Sequence, residues 1–173
     1  DSLSDVTQTL NSYVQDDHYL ELLILADRNG NVIATNTIDH SNKYIDTKKI
    51  QKLNLKKFSW FNEIKKKNYT ETESLKGLHI ADVTKDGLLE LVSGKSGPSL
   101  TFSAPVKNFN NQITSYLIIK TNLLWVNETI NDLNNNLMKK NVKSLKIELV
   151  NQEGSTLSSL WPEGVSKTNI SND

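Results

Sequence analysis

The chain has 173 residues, enough for one domain with a real core. It carries 20 basic and 20 acidic residues for a formal net charge of zero, and Arg28 is its single arginine, which argues against a nucleic-acid footprint and its bidentate contacts. With no cysteine, disulfides, Cys-ligated zinc and thiol catalysis are excluded; no apolar run approaches the ~20 residues of a membrane span, and no signal peptide is visible.

Leu3, Val6, Leu10 and Tyr13 recur at spacings of three and four, which predicts a helix capped by Ser2 or Ser4. Residues 19–36 then predict a hairpin, the element around which the rest is arranged. Leu22, Leu23, Ile24 and Leu25 are consecutive apolar positions, so both faces of the first strand should be covered. Asn29 and Gly30 tolerate positive φ and fit a two-residue turn. Residues 37–55 are polar and irregular, with a short helix expected over 47–55. A second short helix is expected over 58–66, with Trp60, Phe61 and Ile64 facing inward.

Residues 67–82 read as a loop. Leu88 to Val92 reads as a strand after the turn Lys85-Asp86-Gly87, and Gly94 to Pro98 as another turn. Ser99 to Val106 predicts a strand whose end, at Pro105, lies at an edge or a bulge. A turn at 108–111 leads to an apolar strand over 113–119. Leu123, Val126, Ile130, Leu133 and Leu137 then predict a long amphipathic helix over 122–141, close to a heptad stripe. Residues 145–157 repeat the opening pattern of apolar run, Gly-containing turn and apolar run. The order predicts an α+β fold: a central antiparallel sheet of about five strands, an N-terminal helix, short cover helices and a long C-terminal helix. The many asparagines, with the lysine excess, read as compositional drift. Three matches to the glycosylation pattern, at Asn68, Asn127 and Asn169, are chance in such a chain.

These pieces in this order resemble the Cache sensor domains of bacterial chemoreceptors and sensor kinases, which have a PAS-like fold. The resemblance rests on the hairpin Asp27-Arg28-Asn29-Gly30-Asn31-Val32-Ile33-Ala34, the Trp60-Phe61 pair, the strand Phe102-Ser103-Ala104-Pro105-Val106, and the apolar strand running into the Leu123–Leu137 helix. It covers residues 1–140, and 141–173 then resemble the start of a second PAS-like lobe. It implies an extracytoplasmic location in a membrane-anchored receptor, flanking membrane helices outside this segment, and a small ligand held between sheet and cover. In amino-acid-binding members an Arg precedes the aromatic pair by two residues, a Tyr lies upstream, and an Asp lies near the end of the last strand. Here Tyr44 fits the upstream Tyr, but Phe58 stands for the Arg, and Lys120 or Thr121 for the Asp. An α-amino acid is therefore not the ligand expected; an anion met by Lys120 is.

The candidate ligand-binding residues are Tyr44, Trp60, Phe61, His79, Asp82, Phe102, Tyr116 and Lys120. Each has a plainer reading. Trp60 and Phe61 could be core, since burying a large side chain stabilises by about 1.5–3 kcal/mol without a ligand. His79 and Asp82 could be a solvated loop pair. Tyr116 and Lys120 share a strand face at even spacing, and Lys120 could be a strand-end solvent residue. The helix over 122–141 could pack within its own chain or against a second copy in a homodimer.

No catalytic constellation emerges. His18, His40 and His79 lack metal-ligand spacing. Gly94-Lys95-Ser96 imitates a P-loop end, but Leu89 stands where its first glycine should be. Asp27-Arg28-Asn29-Gly30 imitates a calcium loop, but Leu25 occupies the first ligand position. Neither a metal nor a cofactor is implied. The rival to a sensor is a ligand-free dimerisation or protein-interaction module.

Overall fold

A computed structural model describes residues 2–70, 73, 76–84, 87–94, 99–140, 147–150, 154 and 156–160. The chain divides into two compact units, Asp1–Leu123 and Leu124–Asp173.

In the first unit the helix α1, Leu3–Asp16, opens with a reciprocal cap: the Ser2 hydroxyl accepts from the Asp5 N–H, and the Asp5 carboxylate accepts from the Ser2 N–H. Its buried stripe is Leu10 and Val14, with Val6 packed beside them; Leu3 and Tyr13 face solvent. The predicted stripe was thus rotated by about one position. The spacing of three and four fits Val6, Leu10 and Val14 equally well, and the sheet selects that set.

Five antiparallel strands follow in the order β2-β1-β5-β4-β3: β1 Leu20–Asp27, β2 Val32–Thr35, β3 His79–Thr84, β4 Ser99–Lys107 and β5 Ile113–Thr121. Leu22, Leu23, Ile24 and Ala26 of β1 are all buried because α1 covers one sheet face and the short elements cover the other. Those elements are α2, Lys48–Gln51, a 3-10 turn at Leu55–Lys57, α3, Ser59–Lys65, and α4, Leu88–Ser93.

Three expectations are corrected. The β1–β2 turn is longer than two residues. Gly30 N–H donates to Asp27 O at 3.0 Å, Asp27 N–H donates to Asn31 O at 2.9 Å, and within the turn only Gly30 has positive φ, at 81°. Leu88–Ser93 is a helix, not a strand. Four apolar residues in five fit either element, but Leu88 and Val92, four apart, are the buried pair, and Gly87 and Gly94 close the ends in the left-handed conformation. The segment read as a loop over 67–82 contains the start of strand β3, which pairs with β4 at the edge of the sheet as described. The strands over 99–107 and 113–121, and the inward Trp60, Phe61 and Ile64 of α3, are as expected. Pro105 lies beyond the end of β3, beside a bulge at Val106/Lys107, so its missing N–H leaves no ladder bond unmade.

Three of the asparagines, Asn11, Asn36 and Asn54, tie elements together. Asn36 is fully buried; its side chain accepts from Leu23 N–H at 2.7 Å and donates to Ile38 O at 3.0 Å and Glu21 O at 3.3 Å, carrying the β1 ladder past the end of β2. Asn11 exchanges two hydrogen bonds with Thr37 and ties α1 to the sheet edge. Asn54 donates to Asn29 O and Asn31 Oδ1, both at 3.0 Å, while Leu55 N–H donates to Gly30 O at 2.7 Å. This clasp holds the cover to the first hairpin.

In the second unit α5, Leu124–Lys139, buries Val126 and Ile130 and leaves Leu133 exposed. The hairpin β6, Ile147–Val150, and β7, Thr156–Leu160, is antiparallel. The Lys85-Asp86 and Lys95–Pro98 parts of the predicted turns, the polar part of the second hairpin's turn, and the chain after 160 lie outside the described residues.

Two outcomes follow. A Cβ at Gly30 would meet Asn54 Oδ1 at 3.0 Å, Lys56 N at 3.1 Å and Phe61 Cε1 at 3.1 Å, at a φ that L residues disfavour. Gly30→Ala should therefore cost about 2–3 kcal/mol in urea unfolding; a loss within experimental error would show that the clasp is slack. Asp27 is subject to desolvation, which raises its pKa, but donors from the Asn31 side chain and from the backbone of Asn31, Asn29 and Gly30 outweigh it and hold the carboxyl below its ordinary value. A carboxylate lowered on folding stabilises above its unfolded pKa, and that contribution is lost as pH falls through the folded one. The stability advantage of the native chain over Asp27→Asn should shrink as pH drops below about 4, read as denaturation midpoints across pH.

Candidate functional site

Strand register arranges the covered sheet face in three rows. One runs Ala81, Thr101, Lys120, Leu22; the next runs His79, Ser103, Ile118, Ile24, Thr35; the third runs Pro105, Tyr116, Ala26. Directly opposed residues point to the same side. Thr101, Ser103, Lys120 and His79 are therefore neighbours on the face beneath the cover.

Strand β4 alternates polar and apolar, Ser99-Leu100-Thr101-Phe102-Ser103-Ala104. Ordinarily the polar set of such a strand faces water. Here it is reversed: Ser99, Thr101 and Ser103 are 2%, 0% and 1% exposed, while Leu100, Phe102 and Ala104 are only half-buried. Among the described residues the Thr101 and Ser103 hydroxyls have no hydrogen-bond partner, and neither does that of Thr35 at the far end of the row. A buried hydroxyl left in that state costs free energy, on the order of 1–3 kcal/mol.

Lys120 is fully buried in the same patch. Its Nζ lies 5.3 Å from the Trp60 ring centroid, in cation–π range. Trp60 stacks on Phe58 at 5.1 Å and meets Phe61 edge-on at 6.2 Å; Phe61 meets Tyr116 edge-on at 5.5 Å. The aromatic chain thus spans the face from Lys120 to Tyr116. His79 Nδ1 is 2.7 Å from Asn68 O. A carbonyl only accepts, so this nitrogen carries the proton and Nε2 is left as an acceptor when the ring is neutral.

Of the sequence candidates, Trp60, His79 and Lys120 come together around this polar stripe. Phe61 and Tyr116 continue the same face toward its other end. Three do not join it. Phe102 opposes Ile80 and Ile119 and so lies on the opposite sheet face, because its parity along β4 differs from that of Thr101. Tyr44 is 64% exposed in the loop after β2. Asp82 is exposed and its carboxylate accepts from the Val83 N–H at 2.8 Å. Thr101 and Ser103 were not among the candidates; their alternation was visible, but its burial was not. Among the described residues no group of three or more His, Asp or Glu is placed to hold a metal ion.

No protein-family model matches this chain. No curated protein matches it either. Solved structures do. The extracellular domain of vpHK1S-Z8, assigned as a histidine kinase, superposes with a TM-score of 0.52 at 13% identity, over 75% of this chain and 43% of that one. The periplasmic sensory domain of the Campylobacter jejuni chemoreceptor Tlp1 gives 0.47 at 12% identity, over 91% of this chain and 56% of that one. A domain of a sensory box/GGDEF family protein from Vibrio parahaemolyticus gives 0.42 at 16% identity, over 69% and 42%. The five-stranded antiparallel fold is shared with the vpHK1S-Z8 extracellular domain. The chain spans about half, or less, of the length of the domains it matches.

Because the Thr101 and Ser103 hydroxyls have no hydrogen-bond partner among the described residues, Thr101→Val and Ser103→Ala should leave thermal stability unchanged or raise it. A loss above about 1 kcal/mol from either substitution would show that the hydroxyl is engaged.

Proposed function

We propose that this chain is an extracytoplasmic sensory lobe that holds a small anionic ligand between its sheet and its short-helix cover. The observation that carries this reading is the buried polar stripe of β4. Two buried hydroxyls without hydrogen-bond partners among the described residues form a poor core, and beside the Lys120 ammonium they are suited to an oxyanion. Lys120 supplies the charge, Thr101 and Ser103 supply O–H donors, and the Trp60 ring closes one side. His79 at the row's end can accept from a ligand hydroxyl. Mostly apolar walls with a few convergent polar groups are the usual make-up of a ligand pocket.

The cover that would respond is made of short pieces. α3 and α4 have 7 and 6 residues, and short helices depend on packing rather than intrinsic propensity. A ligand that binds more tightly when the cover is closed shifts the equilibrium toward closure. Micromolar binding is worth about 8 kcal/mol. Only the difference between states drives an output, and a swing from mostly off to mostly on needs roughly 5.5 kcal/mol of it. In this reading the terminal helices carry the shift toward a membrane anchor outside this segment, and residues 141–173 begin a second lobe. Among the described residues no helix is long and apolar enough to cross a membrane.

A ligand-free dimerisation role is the second reading. Leu124, Trp125, Leu133 and Met138 of α5 are exposed apolar residues that a partner could cover. The discriminating experiment is a thermal-shift screen of small carboxylates, amines, nucleobases and sugars. The sensor reading expects stabilisation by carboxylates that is lost in Lys120→Met and weakened in Ser103→Ala. A flat screen, with self-association seen in sedimentation, would favour the dimerisation module instead.

A further inference from the structure

A second feature lies at the opposite end of the same sheet face. An open cleft of about 1020 Å³ is bounded by the β1–β2 turn, the C-terminal end of α3 and the β4–β5 turn. Four cations from these three segments line it: Arg28, Lys65, Lys67 and Lys107. Tyr69 and Tyr116 line it as well. No Asp or Glu is among its described lining residues, and none of the four cations forms an ion pair among the described residues.

The neighbouring acids are already engaged. Asp27, next to Arg28, accepts from Asn29 and Asn31. Glu63, two residues before Lys65, accepts from Lys66 and Asn68, both at 2.9 Å. In a chain with zero formal net charge, this leaves positive charge uncompensated in one concave place. Two of the three non-glycine residues with positive φ also lie here among the described residues, Lys67 at 60° and Asn111 at 61°. For a lysine that conformation is uncommon, and strain of this kind collects at binding sites.

We propose that this cleft is a binding site for a small multivalent oxyanion, one carrying two or more phosphate or carboxylate groups. Valence follows from exposure. All four cations face solvent, where a single charge–charge contact is weak and screened by salt. Only an anion that meets several of them at once gains appreciable affinity. The tyrosines offer hydroxyl donors at the floor, and the Arg28 fork suits a planar carboxylate or a phosphate edge. The site is separate from the Lys120 stripe: Tyr116 and Lys120 are four residues apart on β5, or about 13 Å along a strand, with fully buried Ile118 between them.

Calorimetric titration of the 173-residue chain with sodium pyrophosphate and with citrate, at matched ionic strength and with acetate as the monovalent control, tests this. The expected result is binding of pyrophosphate, citrate or both, with no heat from acetate. Pyrophosphate alone would indicate a phosphate ligand, citrate alone a polycarboxylate. The triple variant Lys65→Gln, Lys67→Gln, Lys107→Gln should weaken binding by about tenfold or more. The charge-matched control Lys48→Gln, Lys49→Gln, Lys52→Gln, on α2 and its C-cap, should leave it unchanged. Amide shifts in the unaltered protein should move over residues 107–116. Absence of heat from both polyanions, equal weakening in the control, or shifts confined to Trp60 and Lys120 would overturn the assignment.

Discussion

A clasp at Gly30 fastens the cover of this domain to its first hairpin. Gly30 brings its backbone against Asn54, Lys56 and Phe61, and only a residue without a Cβ fits there at positive φ. The Leu55 N–H and the Asn54 amide fasten the connection that leads into α3. Trp60 lies one residue into that helix, so its position over Lys120 is inherited from a turn between two strands on the other side of the sheet centre. Local geometry at Gly30 thereby reaches the candidate ligand site through two short segments.

Beneath the cover the energetics are unusual. An ordinary core would place Leu100 and Phe102 inward and Thr101 outward. Here the more polar face of β4 is the more buried one. Buried hydroxyls without a hydrogen-bond partner among the described residues oppose folding, and the surrounding apolar packing of Leu22, Ile24, Phe61, Leu88 and Ile118 offsets them. A free state with unmet hydrogen-bonding capacity is one that a ligand can complete. The basic cleft is different in kind: its cations are hydrated, and its selectivity would come from counting charges rather than from desolvating one.

Much of the architecture was legible because it rests on local pattern. The run Leu22–Leu25 required a strand buried on both faces, and the Trp60, Phe61, Ile64 spacing required a helix facing inward. The failures came where a neighbour decides. Leu88 to Val92 is apolar enough for either element, and packing against the cover selected the helix. His79–Thr84 has weak alternation, and it is a strand because β4 offers it a partner. The site was half legible for the same reason. Trp60 and Lys120 stood out as an aromatic in a short cover helix and a charge interrupting an apolar strand. Thr101 and Ser103 had the ordinary alternation of a half-exposed strand, and only the tertiary cover makes them exceptional. The four cations of the cleft come from three segments distant in sequence, so no window of the chain contains them.

The central pair of strands has a mechanical consequence. β1 and β5 are antiparallel, and Leu20 at the start of one is the partner of Thr121 at the end of the other. Just outside this rung, Asn122 N–H donates to Tyr19 O, and the Asn122 side chain donates to His18 O and the Glu21 carboxylate. The way into the sheet and the way out of it are therefore side by side. Tension that separates them would load these rungs one after another, as in opening a zipper, instead of shearing the whole ladder together. In that geometry the rungs at the root would part before those at the far end, where the turn and clasp lie.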